Sequence, residues 1–213
     1  MAMKNRVVAR SVVGVALVVL LAALLTTPGV GATTPKGLIA NLTDVNGAVI
    51  GSVRFIPQPD GYVNVRVTAS GLIPGFHGFH VHTIGVCDPA AKDASGNTVA
   101  FFTAGGHFNP VTTATHGAHA GDMPPMLVGA DGTAFLKFKT DRFTTAQLMD
   151  ADRSAVVTHA GPDNLGNVPA TTSTGGERYH SHVDDVFGAD TATKATGDSG
   201  ARIACGIVER YTG

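Results

Sequence analysis

Val63-Asn-Val-Arg-Val-Thr-Ala-Ser-Gly-Leu-Ile-Pro-Gly-Phe-His-Gly-Phe-His-Val-His82 is the stretch from which the rest of the chain can be read. Its first half alternates strictly: Val63, Val65 and Val67 against Asn64, Arg66 and Thr68, the pattern of a half-buried strand. Residues 71–75 then hold two glycines and a proline, which turn the chain. Residues 75–82 read as a second strand, in which His80 and His82 share one face while His77 points to the other with Phe79 and Val81. Two imidazoles at i and i+2 are close enough to hold one cation. The same pair equally fits histidines satisfied in a core or exposed at an edge, so the decision rests on the other histidines.

Working outward, the pattern of short strands and turns repeats. Residues 49–56 form a run ended by Pro57, Pro59 and an Asp60-Gly61 turn. After Asp131-Gly132, Ala134, Leu136 and Phe138 can face inward with Lys137 and Lys139 outward. Ala155, Val157 and His159 share one face of a later strand, and Ile203, Cys205 and Ile207 one face of the last. Residues 144–151 suggest a turn or two of helix capped by Thr144, too short to carry the fold. Twenty-seven glycines and 11 prolines in 213 residues suit a loop-rich, all-β domain. The expected architecture is therefore an antiparallel sandwich or barrel. Two segments, 83–125 and 160–200, do not read as strands, and loops that long in a compact domain usually carry function.

Residues 1–32 read as a secretion signal: Lys4, Arg6 and Arg10, an apolar run over 12–25, then Val30-Gly31-Ala32 before a mature start at Thr33. An uncleaved anchor is the alternative, although the run falls short of the ~20 residues that span a bilayer. Residues 33–213 make one domain. Removing the three leader cations leaves 12 Lys and Arg against 16 Asp and Glu, a net charge of -4. No basic patch with interleaved aromatics is present, which excludes nucleic-acid binding. Export places Cys87 and Cys205, the only cysteines, where a disulfide forms, rather than leaving two free thiols.

The nine histidines all lie from residue 77 onward. Between His107 and Asp122 the chain supplies His107, His116, His119 and one carboxylate, a set that can close a four-coordinate zinc site. Gly105, Gly106, Gly117 and Gly121 allow that loop to fold tightly. Two clusters and a separate strand histidine, His159, make a converging metal site the better reading.

At this point the sequence strongly resembles the copper/zinc superoxide dismutases. The carrying motifs are residues 75–82, Gly-Gly-His-Phe-Asn-Pro at 105–110, His-Ala-Gly-Asp at 119–122, His-Ala-Gly-Pro-Asp-Asn at 159–164 and Gly-Ala-Arg-Ile-Ala-Cys-Gly at 200–206, in family order. The resemblance spans roughly 36–208 and implies a Greek-key β-sandwich or flattened barrel. It implies copper on His80, His82, His107 and His159, and zinc on His107, His116, His119 and Asp122, with His107 bridging. It further implies that Asp163 links ligands of the two metals, that His77 is structural, and that Arg202 orients superoxide beside the copper. The Cys87–Cys205 bridge would tie the first long loop to the strand carrying Arg202. The implied activity is dismutation of superoxide to dioxygen and hydrogen peroxide. A non-catalytic copper- and zinc-binding or copper-buffering protein of the same fold is the alternative. A zinc hydrolase would need an open zinc position, and no HExxH occurs. Monomer and homodimer both suit the sequence. The second long loop departs from the family's usual form: it carries His180 and His182, which no motif uses, and Lys194 is its candidate for guiding substrate by position alone.

Overall fold

The computed structural model describes residues 37–212, so the leader and the start at Thr33 lie outside the described residues. Three strands open the domain as a meander: β1 (Gly37–Asp44), β2 (Val49–Pro57) and β3 (Val63–Ala69). In β3 the alternating valines are buried and the residues between them exposed or half-buried, as their period of two dictates. The chain then runs through β4 (Gly75–His77), β5 (Phe79–His82), β6 (Met126–Val128), β7 (Ala134–Thr140) and β8 (Ala155–His159). The second long loop contains β9 (His180–Ser181), β10 (Val186–Phe187) and the helix α1 (Thr191–Thr196), and β11 (Arg202–Tyr211) closes the domain.

Seven strands form one curled, antiparallel sheet in the order β5-β8-β11-β1-β2-β3-β7. The histidine run is not one strand. It splits at Gly78: β4 pairs with β6, β5 pairs with β8, and Gly78 bonds instead to Gly161 and His159. Because β4 leads straight into β5 while β6 packs beside β7, the run joins the two ends of the sheet and partly closes it into a flattened barrel.

Inside lie Leu38, Ala40, Leu42, Val53, Phe55, Val65, Val67, Phe79, Val81 and Val156, each almost wholly buried, with Phe143 packed edge-on against Phe55. Each of the valine, leucine and phenylalanine side chains contributes about 1.5–3 kcal/mol by leaving water. β8 is buried on both faces. Val156 faces the barrel core, whereas Ala155 and Val157 join Phe101, Ala104 and Cys205 in a smaller cluster beneath the first long loop. That loop is fastened there by the Cys87–Cys205 disulfide, with Cα atoms 5.7 Å apart. The expected helix near 144–151 is a single turn, Gln147–Met149, opened by reciprocal bonds: the Thr144 N–H donates to Gln147 Oε1 and the Gln147 N–H donates to Thr144 Oγ1.

Candidate metal centre

The free edge of β5 organises the site. The first long loop lays two short segments along it: Phe108 donates its N–H to the Val81 carbonyl at 2.8 Å, and Val81 donates to Gly121 at 2.9 Å. His107 is thereby bridged to His82 and Asp122 to His80. The approach is so close that a Cβ on Gly121 would collide with the Val81 carbonyl oxygen. On the opposite edge of β5, the pairing with β8 brings in His159.

Two groups of ligating side chains result. In the first, His80, His82, His107 and His159 bring ligand atoms within 4.8 Å of one another; in the second, His80, His107, His116 and Asp122 do so. All are buried. The sequence placed His119 in the second group where the geometry places His80. His80 enters because its ring stacks on His107 with centroids 4.0 Å apart. His119 stands just outside, its Nδ1 3.4 Å from Asp122 Oδ2.

In the first group each imidazole is tied by one nitrogen. His82 Nδ1 donates to Gly105 at 2.9 Å, His159 Nδ1 to Gly200 at 3.0 Å, and His80 Nε2 bonds Asp163 at 2.6 Å. His107 Nδ1 meets Asp122 Oδ1 at 2.8 Å. The other nitrogen of each is buried with no hydrogen-bond partner among the described residues: His80 Nδ1, His82 Nε2, His107 Nε2 and His159 Nε2. His119 Nδ1 is a fifth such atom. Buried polar atoms left bare are costly, and four converging lone pairs of this kind fit a cation. An all-imidazole set suits copper, and a mixed nitrogen and carboxylate set suits zinc.

The carboxylates fix the rings. Asp163 spans both groups, with Oδ2 on His80 and Oδ1 on His116 Nε2 at 2.7 Å. Burial would raise its pKa, but the bonds from His116 and His80 outweigh burial and hold it well below the usual carboxylate range. Asp122 is held down in the same way by His107 and His116. Its Oδ2 also accepts from the Gly117 and His119 amides at 2.7 and 2.9 Å. Burial pushes His159 to about 3 and His107 to about 4, so without a metal neither ring is protonated to the cation at neutral pH. Burial would lower His116 too, yet Asp122 and Asp163 raise it to about 9. His77 stays apart on the other side of the strand. Its two nitrogens face the carbonyls of His159 and Ile73 at 2.7 and 2.8 Å, a structural role that steadies the backbone of His159.

A cavity of about 470 Å³ opens over the first group, lined by His82, His107, His159, Thr196, Asp198 and Arg202 among others. Arg202 lies opposite His159 across β8 and β11, and the pairing register shifts between Arg202 and Ala204. Its guanidinium donates to Phe101 and Gly105 at 2.6 and 2.7 Å. Lys194 does not line this cavity; its carbonyl instead accepts from the His116 amide at 2.7 Å. Sequence reasoning missed Arg142, whose Nη1 donates to the carbonyls of Gly117 and His119 at 3.1 and 3.2 Å, clasping the loop that bears His116 and His119.

The comparisons agree with this geometry. The family model described as copper/zinc superoxide dismutase matches residues 49–208. The superoxide dismutase [Cu-Zn] of Mycobacterium tuberculosis is 36% identical over 178 residues, covering 81% of this chain and 70% of that protein. That of Escherichia coli is 38% identical over 141 residues, covering 62% of this chain and 77% of the relative. The solved Cu/Zn superoxide dismutase from Brucella abortus superposes with a TM-score of 0.59 at 27% identity, covering 80% of this chain and 98% of that one. With four of the five motifs bringing ligating side chains into two adjoining groups, and the family model matching residues 49–208, the chain belongs to the copper/zinc superoxide dismutase family.

Proposed function

We propose that His80, His82, His107 and His159 hold copper, and that His107, His116, His119 and Asp122 hold zinc. The observation that supports this is the set of four buried imidazole nitrogens that face one another without partners. His80 has one nitrogen on Asp163 and one free, so it serves a single cation; the unpartnered His119 Nδ1 then completes the zinc set. His107 offers Nε2 to one group and Nδ1 to the other, which makes it the bridge.

When bound, copper supplies the one-electron couple by which two superoxide anions and two protons become dioxygen and hydrogen peroxide. Arg202 binds and orients the anion, its guanidinium held still by two backbone carbonyls and its strand by the Cys87–Cys205 bridge. Whenever its Nε2 is released from the first group, His107 takes up a proton there from solvent and passes it to the departing product. Asp163 keeps His80 and His116 in register, so the ligands of the two metals move together. The domain, residues 33–213, acts after export and removal of the leader, as monomer or homodimer. No helix among the described residues is long and apolar enough to cross a membrane.

Metal analysis and a superoxide-consumption assay on one purified sample test this reading. One copper and one zinc per chain with rapid turnover are expected. Both metals bound without turnover would instead identify a copper-binding protein on the same fold.

A further inference from the structure

We propose that the β9–β10 hairpin carries a separate surface site for a divalent transition metal, formed by His180 and His182 with the carboxylates of Glu177 and Asp185. The pairing of β9 with β10 sets Phe187 opposite His180 and Val186 opposite Ser181, and the turn between them returns Asp185 to the side of His180. His180 and His182, two residues apart, project together. Their rings stack with centroids 4.9 Å apart and planes only 17° from parallel. The edge of Phe187, at 5.4 Å, props the His180 ring from another side.

His180 has a carboxylate at each nitrogen: Glu177 Oε1 at 2.8 Å from Nδ1 and Asp185 Oδ1 at 2.9 Å from Nε2. His182 is exposed and makes no side-chain hydrogen bond among the described residues. Two imidazoles and two carboxylates form a mixed donor set that copper(II) and zinc(II) both accept. Both ring nitrogens of His180 thus already face anionic oxygens at the surface, a setting that attracts a cation. Glu177 and Asp185 hydrogen-bond opposite nitrogens of His180, so the four donors face one cation after these surface side chains rotate.

The hairpin is also held in place. Ser181, between the two histidines, donates its hydroxyl to Asp190 at 2.8 Å, and the same carboxylate caps α1 through the Thr193 amide. Asp184 accepts from the Thr191 amide at 2.7 Å. The far end of α1, Ala195 and Thr196, lines the cavity over the first metal group. The hairpin is therefore outside the centre but fastened to its wall, and its four donors are used by no step of the dismutation chemistry.

The test uses holoprotein already charged with copper and zinc, titrated with copper(II) and followed by calorimetry and electron paramagnetic resonance. One further equivalent is expected, with a resonance showing imidazole nitrogen coupling and distinct from that of the centre. His182→Gln, which breaks no hydrogen bond and so leaves the hairpin intact, should weaken that equivalent about tenfold. The pair His180→Ala and His182→Ala should abolish it while superoxide consumption stays at the parent rate. Absence of the extra equivalent in the parent, or its undiminished retention in the double variant, overturns the proposal.

Discussion

His107 faces both metal groups, so its replacement should cost more than that of any other ligand. In His107→Ala both copper and zinc should bind on the order of tenfold more weakly or worse, with activity lost. Metal analysis after dialysis reads this directly, and normal loading of both metals would refute the bridge. Arg142 makes a different kind of contribution, since it touches only the carbonyls of Gly117 and His119. Arg142→Gln should weaken zinc retention about tenfold in a chelator competition and leave copper retention nearly unchanged. Equal loss of both metals would mean that Arg142 supports the fold rather than the zinc loop. The difference between these residues is also one of legibility. Histidines and Asp122 announce themselves because chemistry needs those side chains in bulk at fixed spacings. Arg142 binds backbone oxygens, which every residue carries, so nothing in the sequence singles it out. The contact between Lys194 and His116 is hidden for the same reason, since it is made by the lysine's carbonyl.

Among the elements, α1 is short, capped by the Asp190 side chain at its start and by Gly197 in the left-handed conformation at its end. A Cβ at Gly197 would strike both Asp163 Oδ1 and His116 Nε2, the two ends of one hydrogen bond. Gly197→Ala should destabilise the domain by about 1–3 kcal/mol, combining a disfavoured backbone with a displaced partner. Zinc should leave first, before any change in copper content, when the variant is warmed or treated with chelator. Thermal unfolding and zinc release indistinguishable from the parent would exclude the contact as important. The long strands were legible from period two because each buries one face, as in β3 and β7. β9 and β10, with two residues each, are too short to show any period, and α1 is built from threonine-rich sequence of weak helix propensity. The break at Gly78 was invisible because the hydrogen bonds that cause it come from Gly161 and His159, more than eighty residues downstream.

For the molecule as a whole, residues 33–213 carry a net charge of -4, which opposes an anionic substrate, so attraction must be local to the cavity. Arg202→Glu should keep both metals and lower kcat/KM about tenfold or more at low salt. Added salt should narrow the gap between parent and variant, because it screens the charge that was reversed. An unchanged rate at low ionic strength would remove Arg202 from the role given to it.

The sheet places β11 between β8 and β1, so the first strand of the domain waits for the last one: Leu38 pairs with Arg210 and Ala40 with Val208. A ribosome that has delivered residues 37–201 has delivered a meander and a set of ligands, but no closed barrel, no bridge for Cys87 and no Arg202. Closure of the barrel is thereby deferred until β11 has been made, and a chain that lacks this strand stays open. A chain ending at residue 201 should accordingly show no cooperative melting transition in calorimetry, with or without added zinc.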